Sequence, residues 1–229
     1  VVDGGDADTD IVANSGTVTI DAVTGVGDAG NPLGAIDTQI NTLDLDNTTS
    51  GNVDINETDD LNINQLDQDA AAGTVNVDAN GTITVVDGQT GVSALAGQVE
   101  LDANGINSNI AVNDSVVTTT GDINVLADND VAFDATSDIT STSGNVVVTA
   151  DTDGAADGGG SDQGALTMAD GAVINAGSGT VDMDANENVT LGSVVTTNAT
   201  GSAVTITSSA AGVVDGGDAD TDIVANSGT

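Results

Sequence analysis

The chain has 229 residues, no Lys, Arg, His, Cys, Trp or Tyr, and 37 acidic residues, for a formal net charge of −37. Those absences exclude disulfide staples, a cationic nucleic-acid interface, and any active site that needs an imidazole, thiol, amine or guanidinium. The 38% apolar content is carried by small β-branched residues, with 44 Val and Ile against 10 Leu, and no stretch approaches the roughly 18 apolar residues of a membrane span.

The first segment, residues 1–17 (VVDGGDADTDIVANSGT), recurs without a substitution as residues 213–229. Because the second copy begins at Val213, the chain is read as one 212-residue unit followed by the start of the next. Exact recurrence at a long period is the mark of a tandem array, in which neighbouring identical repeats are each other's partners.

A smaller motif fills that unit: Gly, polar, apolar, polar, apolar, then often Asp-Ala. It reads GTVTIDA from Gly16, GNVDINE from Gly51, GTVNVDA from Gly73, GQVELDA from Gly97, GDINVLA from Gly121, GNVVVTA from Gly144 and GTVDMDA from Gly179. A copy shifted by one residue, GSAVTIT, starts at Gly201, and Gly228 opens the next. Most steps are 22 to 24 residues, with wider ones of 35, 35 and 27. Each motif alternates as a strand should, with pairs such as Val18 and Ile20, Val75 and Val77, Val99 and Leu101, and Ile123 and Val125 pointing inward. Weaker strands follow at residues 83–85, 131–133 and 189–191. Two or three short strands per coil predict an all-β parallel β-solenoid of about eight coils per 212 residues. A β-sandwich array is the alternative, but it needs about seven antiparallel strands and usually a core Trp. Here Phe133 is the sole aromatic, which suits a narrow lumen.

Two coils are overlong. The coil from Gly16 carries VTGVGDAGNPLGA with the only proline, Pro32, and the coil from Gly144 carries an Asp- and Gly-rich stretch at residues 151–165. Both are read as loops projecting from a corner of the stack.

The stretch Gly30-Asn31-Pro32-Leu33, followed by Ile36-Asp37-Thr38, Leu43 and SGNVDINE at residues 50–57, resembles the β-helical repeats of filamentous-haemagglutinin-type adhesins. The resemblance covers residues 28–65. It implies a secreted, right-handed parallel β-helix that serves as the shaft of a giant bacterial surface protein.

Eight coils at about 4.8 Å each rise about 38 Å. The 33 acidic residues of one unit then give about one charge per 1.2 Å, denser than the roughly 1.7 Å of duplex DNA, so the fibre is expected to gather cations. Asp78 and Asp102 occupy equivalent places in adjacent coils and should stack. Two acidic clusters offer the hard oxygen ligands that Ca²⁺ prefers: Asp3, Asp6, Asp8 and Asp10, and Asp151, Asp153, Asp157 and Asp162. The first is not an EF-hand loop, since Ile11 stands where the turn glycine belongs, and in both clusters Asp with Gly also makes plain solvated turns. The same cations could bridge neighbouring filaments.

Asn-x-Ser/Thr triplets at Asn47, Asn56, Asn113 and Asn198 are expected from composition alone. Catalysis is not expected, and an ice-binding Thr array fails because only the Gly16 coil pairs two outward Thr. The composite expectation is the shaft of an extracellular or cell-surface filament supporting attachment, cell–cell association or a biofilm matrix. The alternative is a ligand- or Ca²⁺-binding surface module that uses the long acidic loops.

Overall fold

The computed structural model describes residues 1–2, 5, 8–27, 34–152, 164–217, 219 and 221–226. Among them every secondary element is a β-strand, and every strand pairing is parallel. The chain is a β-solenoid with three faces, each a stack of strands from successive coils.

The motif strands build the first face: Val53–Glu57, Val75–Ala79, Val99–Ala103, Ile123–Ala127, Val146–Ala150, Val181–Ala185 and Val204–Ser208, each hydrogen-bonded to the next. Ile83–Val85, Ile110–Val112, Val131–Phe133, Leu166–Met168, Val189–Leu191 and Val213–Asp215 form the second face. Gly91–Ala94, Val116–Thr118, Asp138–Ser141, Val173–Asn175, Ser193–Thr196 and Ile223–Ala225 form the third. Leu61–Gln68 bends across the second and third faces, pairing with one strand of each.

Alternation places the apolar residues in one continuous lumen. Val75, Val77, Val99, Leu101, Ile123 and Val125 are all fully buried, as is nearly every inward residue between Val53 and Val194. Burying each such Val or Ile contributes roughly 1.5–3 kcal/mol, and no large aromatic is needed to fill so narrow a space. The motif Ala closes the strand on its inner side: Ala79, Ala103, Ala127, Ala150 and Ala185 are buried in one column.

The motif glycine sits at the corner between the third and first faces, where coils approach most closely. A Cβ on Gly97 would lie 1.9 Å from the carbonyl oxygen of Gly73, one on Gly121 1.9 Å from that of Gly97, and one on Gly144 1.8 Å from that of Gly121. Only glycine fits such a column. A buried hydroxyl ties the same corner. Thr118 Oγ1 donates to Gly97 O at 2.9 Å, Ser141 Oγ to Gly121 O at 2.9 Å, and Thr196 Oγ1 to Gly179 O at 2.6 Å. Ser141 Oγ also accepts from Gly144 N at 2.8 Å, so a backbone N–H in a tight turn is satisfied without a sheet partner.

The lowest coils differ from the sequence expectation in two ways. The Gly16 motif does not lie on the first face. Ile11–Ala22 is one 12-residue strand whose residues 17–22 pair with residues 42–47, which pair in turn with Leu61–Gln68 on the second and third faces. The overlong stretch after Gly16 is also more than a projecting loop. Val26 bridges Val53, and Ile36–Asn47 forms a 12-residue strand that runs beneath all three faces. Pro32 and its neighbours at residues 28–33 lie outside the described residues. The physical reason is length: from residue 22 to Val26 there is no room for two further faces, so the segment slides round the corner.

Candidate functional site

The chemistry available to this chain is carboxylate chemistry, and the parallel stack arranges it in columns. On the first face, one outward column runs Asp54, Asn76, Glu100, Asn124, and a second runs Asn56, Asp78, Asp102. In the first column amides alternate with acids and donate to them: Asn76 Nδ2 to Asp54 Oδ1 and Asn124 Nδ2 to Glu100 Oε2, both at 2.9 Å. Gln98 Nε2 adds a second donor to Glu100 Oε2 at 2.9 Å. The spacer amides keep like charges from stacking directly and give the carboxylates hydrogen-bond donors.

The second column lacks a spacer between Asp78 and Asp102, which pair directly as parallel neighbours, as the sequence spacing indicated. Burial, then the charges of Asp78, Glu100 and Asp128, push the Asp102 carboxyl up to about 6. Burial and the charges of Asp54 and Glu100 raise Asp78, while Asn104 Nδ2, donating at 2.5 Å, pulls it back. With no cationic side chain in the whole sequence to offset them, two carboxylates about one rung apart each hold their proton more tightly than a solvated Asp does.

A third column, Asp21, Asp46 and Asp67, stacks on the third face. Asp67 receives hydrogen bonds from Ser93 Oγ at 2.7 Å and Gln65 Nε2 at 2.8 Å. The Oδ1 atoms of Asp46 and of its strand neighbour Asp44 are enclosed with no partner. Burial, followed by the charges of Asp69, Asp67 and Asp21, raises the Asp46 carboxyl.

Other acids serve the backbone. Asp122 Oδ1 accepts from Asn145 N at 2.7 Å, Asn145 Oδ1 from Thr180 N at 3.0 Å and Asn52 Oδ1 from Thr74 N at 3.0 Å, so an Asp or Asn after a motif glycine caps its counterpart one coil on. Asp60 Oδ1 does the same for Thr82 N at 2.8 Å.

Glu57 was not singled out by the sequence reading, yet it is fully buried. It accepts from Thr38 Oγ1 at 2.7 Å and from the backbone N–H groups of Ile40, Thr58 and Asp59 at 3.1 to 3.3 Å. Burial raises its carboxyl, and the Thr38, Ile40 and Asp59 hydrogen bonds oppose that rise. Its signal was available: in the aligned motifs Glu57 takes the place of the inward Ala79, with which it pairs. Asn47 and Gln68 are buried in the same region, joined by Asn47 Nδ2 donating to Gln68 Oε1 at 2.8 Å. Burial removes Asn47 as a surface glycan acceptor, whereas Asn56 is exposed.

Of the expected metal ligands, Asp8 and Asp10 are exposed, and Asp10 Oδ2 accepts from Asp37 N at 3.1 Å. Asp3 and Asp6 lie outside the described residues, as do Asp153, Asp157 and Asp162. Asp151 adopts φ 69° and lines a recess of about 330 Å³ with Thr152, Asp184, Asn186 and Ser209. Among the described residues no group of three or more Asp or Glu is arranged to hold a metal ion. Among the described residues no helix is long and apolar enough to cross a membrane. Comparison with protein-family models, with curated proteins and with solved structures gives no match.

Proposed function

We propose that this chain is a shaft segment of an extracellular bacterial filament or giant adhesin, built from tandem β-solenoid repeats and supporting attachment, cell–cell association or a biofilm matrix. The observation that carries the reading is the unbroken parallel stack, in which one interior pattern recurs coil after coil while the sequence recurs at 212 residues. Such a stack adds length without adding new specificity. An external setting fits a chain with no Lys or Arg for trypsin-like proteases to cut. A structural role fits a side-chain set that holds carboxylates, amides and hydroxyls but no imidazole, thiol or amine. Cations gathered along the acidic columns offset their mutual repulsion, and the same ions can bridge parallel shafts into bundles.

Electron microscopy of chains of two, four and eight repeats tests this reading. Rods of constant width whose length grows by about 40 Å per repeat are expected. Beads of fixed size joined by flexible segments would overturn it.

A further inference from the structure

The 17 residues that occur twice are placed differently at the two ends of the stack, and the two placements fit together. In the C-terminal copy, Val213 lies on Val189 of the second face and Ile223 on Val194 of the third. In the N-terminal copy the same residues are Val1 and Ile11. Val1 N donates to Gly25 O at 2.9 Å and Gly27 N to Val1 O at 3.0 Å, which sets Val1 beside Val26, and Ile11 pairs with Thr38. Val26 and residues 36–38 both lie under Val53–Glu57, on the first face. The C-terminal copy therefore shows only what lies beneath this segment, and the N-terminal copy only what lies above it.

We propose that, where one repeat follows another, a single copy of the segment takes both sets of partners at once, and the solenoid runs on with each repeat turned by about half a turn. No strand then needs two partners on one side. Side-chain direction agrees as well. Val1, Ile11 and Ala13 stack on the lumen-facing Val26, Thr38 and Ile40, while Val213, Ile223 and Ala225 stack on the lumen-facing Val189, Val194 and Thr196. A one-residue slip would have turned them outward.

The remaining open surface is the upper edge of Val204–Ser208. Val204 and Ile206 are only partly covered, and with Ala203, Ile223 and Ala225 they line an end recess of about 460 Å³. The next residues of a following repeat are the counterparts of Val18, Ile20 and Ala22, which have the same two-residue spacing as Val204, Ile206 and Ser208. They fill this edge and carry the counterparts of Leu43, Leu45 and Asn47 above them. The first face of the following repeat thus rises over the corner between the second and third faces below it. Its own second and third faces rise over the first face below.

Counting along the first face, residues 36–38 and the seven motif strands from Val53–Glu57 to Val204–Ser208 make eight rungs, and the offset adds about half a coil. A repeat of about eight and a half coils rises about 41 Å and presents the Asp54 and Asp102 columns on alternate sides of the shaft. The 12-residue strands Ile11–Ala22 and Ile36–Asn47 are the adaptors, since each rounds a corner that the other coils break with a turn.

The inference rests on the shaft reading, and one experiment separates them. In cryo-electron microscopy of a four-repeat chain, averaging should relate successive repeats by a rotation of about 180°, apart from the ordinary twist of the stack, with a rise of about 41 Å. Repeats related by translation alone, at eight coils and about 38 Å, would overturn the half-turn and leave the shaft intact. Separate beads would overturn both.

Discussion

The middle coils and the lowest coils solve the same packing problem with different residues. From Gly73 to Gly179 the third-to-first corner is a column of glycines, plugged by a hydroxyl at Gly97, Gly121 and Gly179, and the inward end of the motif strand is Ala. Around residues 36–70 the corner holds Asn47 and Gln68, and the strand end holds Glu57 above Thr38. Regular coils stack on copies of themselves, so small residues suffice. The lowest coils stack on the long adaptor strands, and their interior holds polar groups that satisfy one another. The difference teaches that a motif letter is set by what lies beneath it in the stack.

Removing a polar plug tests this most severely. Glu57→Ala gives the lower coil the residue that serves well in every regular one, but here it strips Ile40 N of its partner and leaves Thr38 Oγ1 only the 3.4 Å bond to Asn56 O. A cavity and unsatisfied buried donors together predict a loss of about 3 kcal/mol in chemical denaturation. Ala103→Gly, in the same column, should cost about 1 kcal/mol. Equal losses would show that the lower coils are not specially organised.

The complementary test is Gly121→Ala. Its Cβ would lie 1.9 Å from Gly97 O and 2.2 Å from Gly97 C, both backbone atoms of the coil below. Backbone cannot step aside as a side chain can, so a loss of about 1–3 kcal/mol is expected, read as a fall in denaturation midpoint. A neutral effect would mean that the glycine serves the turn alone.

These contrasts also mark what the sequence disclosed. The regular coils were legible because Gly-x-Val-x-Val alternation with a 22- to 24-residue step fixes strand, inward residues and neighbour together, and Asp78 stacks on Asp102 as that step requires. GTVTIDA at Gly16 is as good a motif as any, yet it lies on other faces, because pairing with residues 42–47 decides its place and no local signal reports that partner. Ile36–Asn47 reads as I-D-T-Q-I-N-T-L-D-L-D-N, and its inward phase slips between Ile40 and Leu43 where the strand rounds the corner. A reading by strict alternation loses the phase there, so it places the loop at residues 23–35 and leaves the long strand that follows it unmarked.

The columns of acids divide in the same way, into spaced and unspaced. Asp54 and Glu100 are separated by Asn76, whose amide donates to Asp54, whereas Asp78 and Asp102 are direct neighbours one rung apart. Asp102 and Asp78 hold their protons more tightly when folded, as do Asp46 and Glu57. A carboxyl raised on folding destabilises the fold above its folded value, and that cost fades as pH falls toward the unfolded value of about 3.9. Asp134 runs the other way, lowered chiefly by the Thr136 hydroxyl, but its contribution is lost only as pH falls below about 4. Stability should therefore rise between pH 7.5 and pH 4.5. Asp102→Asn should supply much of that gain at pH 7.5, on the order of 1 kcal/mol after allowance for solvent screening, and should flatten the profile. Thermal melts across that range check both, and a midpoint that falls steadily with acid would contradict the unspaced column.

The smallest expected effect is the sharpest control. In the top coil the motif is displaced by one residue, since Val204 rather than Ala203 pairs with Val181. Gly201 is thereby carried off the glycine column, and a Cβ there would meet nothing within 4 Å. Its φ lies outside the left-handed region, so no backbone strain opposes a side chain either. Gly201→Ala should thus change stability by no more than about 0.5 kcal/mol, with a slight gain from the stiffer unfolded chain. Measured beside Gly121→Ala, it isolates stacking from turn geometry, since both substitutions add one methyl group to a motif glycine. If Gly201→Ala proves as costly as Gly121→Ala, the column of carbonyl contacts is not what selects glycine in this motif.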